Sequence, residues 1–215
     1  MDNTIIEMFK EKNDKILFEK LLLDLDNNND SLRLTINNKI KLVLHIKFLK
    51  KINKILKSSE IKYDVKTLDE IIDEVTNIIE EKVKCFLNIR KEKISYEISN
   101  NFTNIDDLYD FIDQNEVFLK QEIEKQINLV VYEQLENKLF DLYKFKTEDQ
   151  KNEISSNLKR LDSELTLNIL TPLSERNCSL KNMVRETQDK VTDLNLQTTR
   201  MIVNTGEGKI IKKSA

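Results

Sequence analysis

The sequence predicts an all-α, elongated protein, and three observations carry that prediction. Residues 1–205 contain no glycine, because the only two in the chain are Gly206 and Gly208. Left-handed turns lean on glycine, so a β-rich fold would have to draw its turns from Asn. A single proline, Pro172, leaves most of the chain free to be helical. Apolar residues, mostly Ile and Leu, recur three and four apart along most of the 215 residues, which is the spacing of one helix face.

The first helix is expected from about Thr4 to Leu25, where Ile5, Ile6, Phe9, Ile16, Leu17, Leu21 and Leu25 keep helical spacing. The run DNNND (26–30) is expected to stop it, since Asn and Asp side chains compete for backbone hydrogen bonds. A second helix follows from about Ser31 to Lys57, with LRLTI (32–36) as its frayed entry and SSEIKYD (58–64) as the next break. Thr67 with Glu70 has the capping-box spacing and opens a third helix. Its stripe runs from Leu68, Ile71, Ile72 and Val75 through Val83 and Leu87 towards Ile94 and Ile98. Asp69, Glu70, Asp73 and Glu74 crowd its first turns, where the helix dipole favours anions. SNNFTN (99–104) ends it, and a fourth helix is expected from about Ile105 to Lys146 with a short break at DQNE (113–116). Thr147, three residues before Gln150, reads as the next cap, after which Ile154, Leu158, Leu161 and Leu165 follow four-three-four spacing.

Beyond Pro172 the pattern narrows. Leu180, Val184, Thr187, Val191, Leu194, Thr198 and Met201 are separated by four, three, four, three, four and three residues, a strict heptad seam. Stripes before residue 146 are broader and carry aromatics. The expected organisation is a small helical bundle, or head, over 1–146, then coiled-coil stalk helices over 147–205 with a break at Pro172. A disordered basic tail is expected over 206–215. The segment 154–165 is too short to cover the seam, so those seven seam residues are the expected partner-binding set. Thr187 and Thr198 weaken a coiled coil, and polar seam residues of this kind fix register and partner.

Composition excludes several function classes. Charged residues make up 34 %, hydrophobic ones 39 % and aromatic ones 7 %, with a net charge of −3. No global field points to nucleic acid. Without glycine, a P-loop, a dinucleotide fingerprint and a nucleophile elbow are excluded as motifs. A di-metal carboxylate bundle needs Glu-x-x-His from two helices, and this chain has one histidine, His45. His45 reads as a partly exposed helical residue. Cys85 and Cys178 read as buried or half-buried thiols in a reducing compartment. MDNTIIEMFKEKNDK is too polar for a signal peptide, and LLLDL is too short to span a bilayer. A soluble, intracellular protein is expected, with no catalytic residue, cofactor, metal or small-molecule substrate.

The stretch KIKLVLHIKFLKKINKILK (39–57) holds seven lysines and no acid. Lys47, Lys50, Lys51 and Lys54 share one face, while Ile40, Val43, Leu44, Phe48, Ile52, Ile55 and Leu56 supply the other. Such a helix can lie on an anionic membrane, which would suit a peripheral membrane tether or trafficking-complex subunit. The favoured alternative is that it packs inside the bundle beside the acidic start of the third helix. Nucleic acid is disfavoured, because aromatic interleaving is missing and the total charge is negative.

The C-terminal stretch TPLSERNCSLKNMVRETQDKVTDLNLQTTRMIVNTGEGKI (171–210) resembles part of the NSL-one/Mis-fourteen subunit of the Mis-twelve (MIND) kinetochore complex. Pro172 and Leu173 match the entry to that family's helix, and Leu180 and Val184 match its first spaced apolar positions. Asp189, Val191, Leu194 and Arg200 match its end. EKISYEISNNFTNIDDLYDFID (92–113) is similar to the head-to-stalk region of sister subunits. The resemblance implies a head bundle followed by a stalk, assembled with sister subunits in a hetero-oligomer, with no catalytic residues and a nuclear, kinetochore location. The expected function is a non-enzymatic scaffold subunit of a heteromeric helical complex serving chromosome segregation in cell division.

Overall fold

The computed structural model describes the backbone of residues 2–100, 105–143, 145 and 147–213. Side chains are described for 15–97, 108–143, 145 and 147–201, with Tyr109, Thr198 and five positions before Asn29 excepted. Every regular element among the described residues is helical. The first rod is α1 (Asp2–Lys41), a π-helical stretch (Leu42–Phe48) and α2 (Leu49–Ser58). The second is α3 (Val65–Asn100). The third is α4 (Ile105–Leu129), a second π stretch (Val130–Glu136) and α5 (Asn137–Leu142). The last is α6 (Glu148–Lys213).

Cross-links set the topology. Lys41 pairs with Glu80 at 3.4 Å, tying the first rod to α3. Lys93 lies 5.1 Å over the Phe118 ring, tying α3 to α4. Ser155 donates to Glu136 at 2.8 Å and Ser174 to Glu116 at 2.9 Å, tying the third rod to α6. Lys47 pairs with Glu164 and closes the ring. In each pair the residue numbers run in opposite senses, so this is an up-down-up-down bundle.

The rods differ in length. At about 1.5 Å per residue, the 66 residues of α6 span about 100 Å and the 36 of α3 about 54 Å. The end of α3 and the start of α4 lie level with the neighbourhood of Leu21 and Val184, which meet Ile94, Leu108 and Ile112 there. The N-terminal half of α1 and the C-terminal half of α6 run on past that level.

Apolar spacing explains the π stretches. Leu32, Ile36, Ile40, Leu44, Phe48, Ile52 and Leu56 are each four apart, and all are buried. Four residues carry an α-helix about 40° past a full turn, so such a stripe winds off the core face. A π turn takes more residues and brings the stripe back. Leu119, Ile123, Ile127, Val131, Leu135, Leu139 and Tyr143 repeat both the spacing and the remedy.

Several expected breaks are absent. DNNND lies inside α1, because Leu25 and Leu32 on either side are buried and packing outweighs a propensity deficit below ~1 kcal/mol per residue. DQNE lies inside α4, where Asn115 donates to the Phe111 carbonyl at 2.9 Å. The helix also continues through Pro172. Proline inside a helix costs about 3 kcal/mol, and burial of Leu165, Ile169 and Leu173 along the same stripe offsets it. In the first helix, Leu21 and Leu25 are buried and Ile16 is exposed. Ile5, Ile6, Phe9 and Leu17 lie outside the described side chains, as does Ile98.

The ends of the helices have local causes. Asp64, not Thr67, caps α3: its carboxylate accepts from the Lys66 N–H at 3.1 Å and the Thr67 hydroxyl at 3.0 Å. These bonds, the Lys66 one first, hold its carboxyl below the usual value. Thr147 caps α6 as expected, accepting from the Gln150 N–H at 3.3 Å. α2 ends in a Schellman motif, with Ile61 N–H on the Leu56 carbonyl at 3.1 Å and Glu60 N–H on Lys57 at 3.2 Å. Glu60 therefore sits at φ 53, the position glycine normally fills.

The division into a head over 1–146 and a stalk over 147–205 does not hold. α6 from Ile154 to Leu173 is buried in the same core as α1 to α5. What projects is one end of α1 together with one end of α6. The helix of α6 reaches Lys213, where a disordered tail over 206–215 was expected, and the last two residues lie outside those described.

Candidate interaction surfaces

The core falls into two clusters, and between them each rod turns a polar side chain inward. Leu25, Leu87, Ile112 and Leu173 are followed by Asn29, Arg90, Glu116 and Asn177, and then by Leu32, Ile94, Leu119 and Leu180. Arg90 and Asn177 are only 3 % and 1 % exposed. Arg90 Nη2 donates to Asn177 Oδ1. Glu116 Oε1 accepts from Ser174 Oγ and lies 2.9 Å from Lys120 Nζ. Burial pushes the Glu116 carboxyl up, but the Lys120, Asn177 and Ser174 side chains around it outweigh that and hold it below the usual range. Burial pushes the Arg90 guanidinium down to about 10; Glu116 opposes the shift and Arg176 adds to it. Arg90 is thus charged at neutral pH. Asn29 lines the same small cleft as Arg90 and Arg176.

The sequence reading missed this layer. Its signal was a polar residue standing where the three-four apolar rhythm called for a core one, as at Arg90 between Leu87 and Ile94. Asn177 in fact extends the heptad seam one step upstream, four residues after Leu173 and three before Leu180.

The expected seam residues divide at the end of the four-rod region. Leu180 and Val184 are buried against Leu21, Leu25, Ile94 and Ile112 of the same chain. Thr187 is half-buried and donates to the Met183 carbonyl at 2.7 Å. Val191 is half-buried, whereas Leu194 is 39 % and Met201 69 % exposed. The Thr198 side chain lies outside those described. Leu196, off the seam, is exposed too.

The lysine-rich stretch packs inward with the apolar face named above: Val43, Leu44, Phe48, Ile52, Ile55 and Leu56 are all core residues, while Leu42 and Ile46 lie off that face and are exposed. An amphipathic helix on a membrane would need that face. Lys47 pairs with Glu164 of α6, while Lys50, Lys51 and Lys54 are exposed. The acidic start of α3 does lie alongside. His45 Nε2 is 3.5 Å from Asp73 and 3.1 Å from the Thr76 hydroxyl. That hydroxyl donates to the Ile72 carbonyl at 2.7 Å, so His45 Nε2–H is the donor to Thr76. His45 is half-buried, on the first π stretch.

Cys85 and Cys178 are both exposed, contrary to the expectation of buried or half-buried thiols. Each stands on the outward side of its helix, two residues from a core position. Among the described residues no cluster of His, Cys, Asp and Glu is placed to hold a metal ion, and no helix is long and apolar enough to cross a membrane. No protein-family model, curated protein or solved structure matches the chain.

Proposed function

We propose that this chain is a non-enzymatic structural subunit of a heteromeric helical assembly, with a kinetochore linker complex of the Mis-twelve type as its most specific version. One observation carries the reading: α6 outruns α3 and α4, so its heptad seam continues from Val191 to Met201 past the level where those helices end. The resemblance of residues 171–210 to a linker-complex subunit adds the choice of assembly. Other helical subunits are the partners, and no small molecule is required.

The test is Leu194→Asp in the full chain, compared with wild type by co-purification from the native source and by circular dichroism. A carboxylate buried unpaired against a partner helix costs several kcal/mol, while Leu194 belongs to neither buried cluster that holds the four rods together. Partners should be lost with helicity retained. If the variant keeps its partners, the seam is not the interface.

A further inference from the structure

The polar layer separates two clusters of unequal size. The larger spans all four rods from Leu32 to Leu173; the smaller is built on Leu25, Ile94, Ile112, Leu180 and Val184 with few others. The buried apolar residues of the two form separate groups, and at the layer Leu25 and Leu180 of the smaller and Leu32 of the larger only border one small cleft with Arg90. Cooperativity in a bundle travels through buried apolar contacts, and regions with few of them open separately. Opening through a leucine layer exposes apolar surface to water. Opening at the level of Arg90 and Asn177 instead hydrates a buried guanidinium, which returns part of its lost solvation.

We propose that this layer is a built-in break: the small cluster opens as one unit while the large cluster stays folded. Opening frees α6 from about Leu180 onward and α1 up to about Leu25. It uncovers Leu180 and Val184, the two seam residues that the closed chain buries among its own helices. The closed bundle thus withholds the first part of the seam, and a partner helix of heptad apolar spacing takes it by displacing the N-terminal half of α1. This consequence rests on the subunit reading above; the opening itself does not.

Native-state hydrogen exchange of the full chain, alone in solution, tests the opening. Amides at 21–27, 92–97, 108–115 and 180–188 should exchange together, roughly 100-fold faster than those at 36–56, 68–87 and 119–139. Val184→Ala should speed exchange in the first group by roughly 10- to 100-fold and leave the second unchanged. Replacing the layer with leucine (Arg90→Leu, Glu116→Leu and Asn177→Leu together) should slow the first group towards the second. One common rate in the wild type overturns the proposal, and so does a Val184→Ala variant that speeds both groups equally. These measurements use no partner, so a failed Leu194→Asp test leaves them standing, and the reverse also holds.

Discussion

Replacing Asn177 by leucine should destabilise the fold, and replacing Arg90 as well should restore it. Asn177 Oδ1 is the acceptor for Arg90 Nη2, and both residues are almost wholly buried. Burial holds Arg90 at about 10 against an ordinary value of 12.5. At about 1.4 kcal/mol per unit, keeping that charge in place costs on the order of 3 kcal/mol. That cost is already met in the wild type; Asn177→Leu adds the loss of a hydrogen bond to a charged group, about 1.5–3 kcal/mol, because the guanidinium stays buried without its acceptor. Arg90→Leu removes the buried charge but strands the Asn177 amide, a cost of about 1–3 kcal/mol, and should come out near neutral. In the double variant both polar groups are gone, two leucines continue the stripes on α3 and α6, and Lys120 and Ser174 still hold the Glu116 carboxylate. Its stability should return to within about 1 kcal/mol of wild type, which makes the pair strongly non-additive. Urea unfolding followed by circular dichroism gives each free energy, provided the slope with denaturant is unchanged. The reasoning is refuted if Asn177→Leu costs less than about 1 kcal/mol, or if the double variant loses the sum of the two single changes.

Three further outcomes follow from the local geometry. Glu60→Gly should raise stability by about 0.5–1 kcal/mol in the same urea assay, because φ 53 is free of strain only for glycine. Asp64→Ala should lower the melting temperature through loss of the α3 cap, while Asp64→Asn keeps most of it. The Asp64 carboxyl is lower in the fold than its ordinary 3.8. Its ionic contribution is therefore fully present above that pH and fades as the pH falls below it, so wild type and Asp64→Asn should converge in acid. Vesicles containing acidic lipid should not sediment the protein at physiological salt, because the apolar face of residues 39–57 is core. Salt-sensitive sedimentation would contradict this.

The fold class was legible in the sequence because it depends on backbone chemistry that composition reports directly. A chain without glycine over 205 residues and with one proline has few ways to turn and few reasons to stop being helix. Apolar periodicity located most core residues for the same reason: which side of a helix faces inward is a local property of spacing. Breaks were less legible. DNNND, DQNE and Pro172 are each weak helix formers taken alone, and whether a helix yields there depends on the burial gained on either side, which only the packed neighbours decide. Cys85 and Cys178 are exposed because position on the helix, not residue type, decides which side chains face the core.

The partition of the seam was decided wholly by tertiary structure. Heptad spacing from Leu180 to Met201 is uniform, so nothing local distinguishes Val184 from Leu194. The difference is that α3 and α4 end between them, and that is set by how four antiparallel rods of unequal length come into register. The polar layer belongs to the same category. Asn29, Arg90, Glu116 and Asn177 are far apart in the chain, and each alone reads as an ordinary surface residue on a charged helix. Their meaning arises because the bundle brings them to one level, where Arg90 and Asn177 are almost wholly buried and the cost of an unpaired polar group makes them answer to one another.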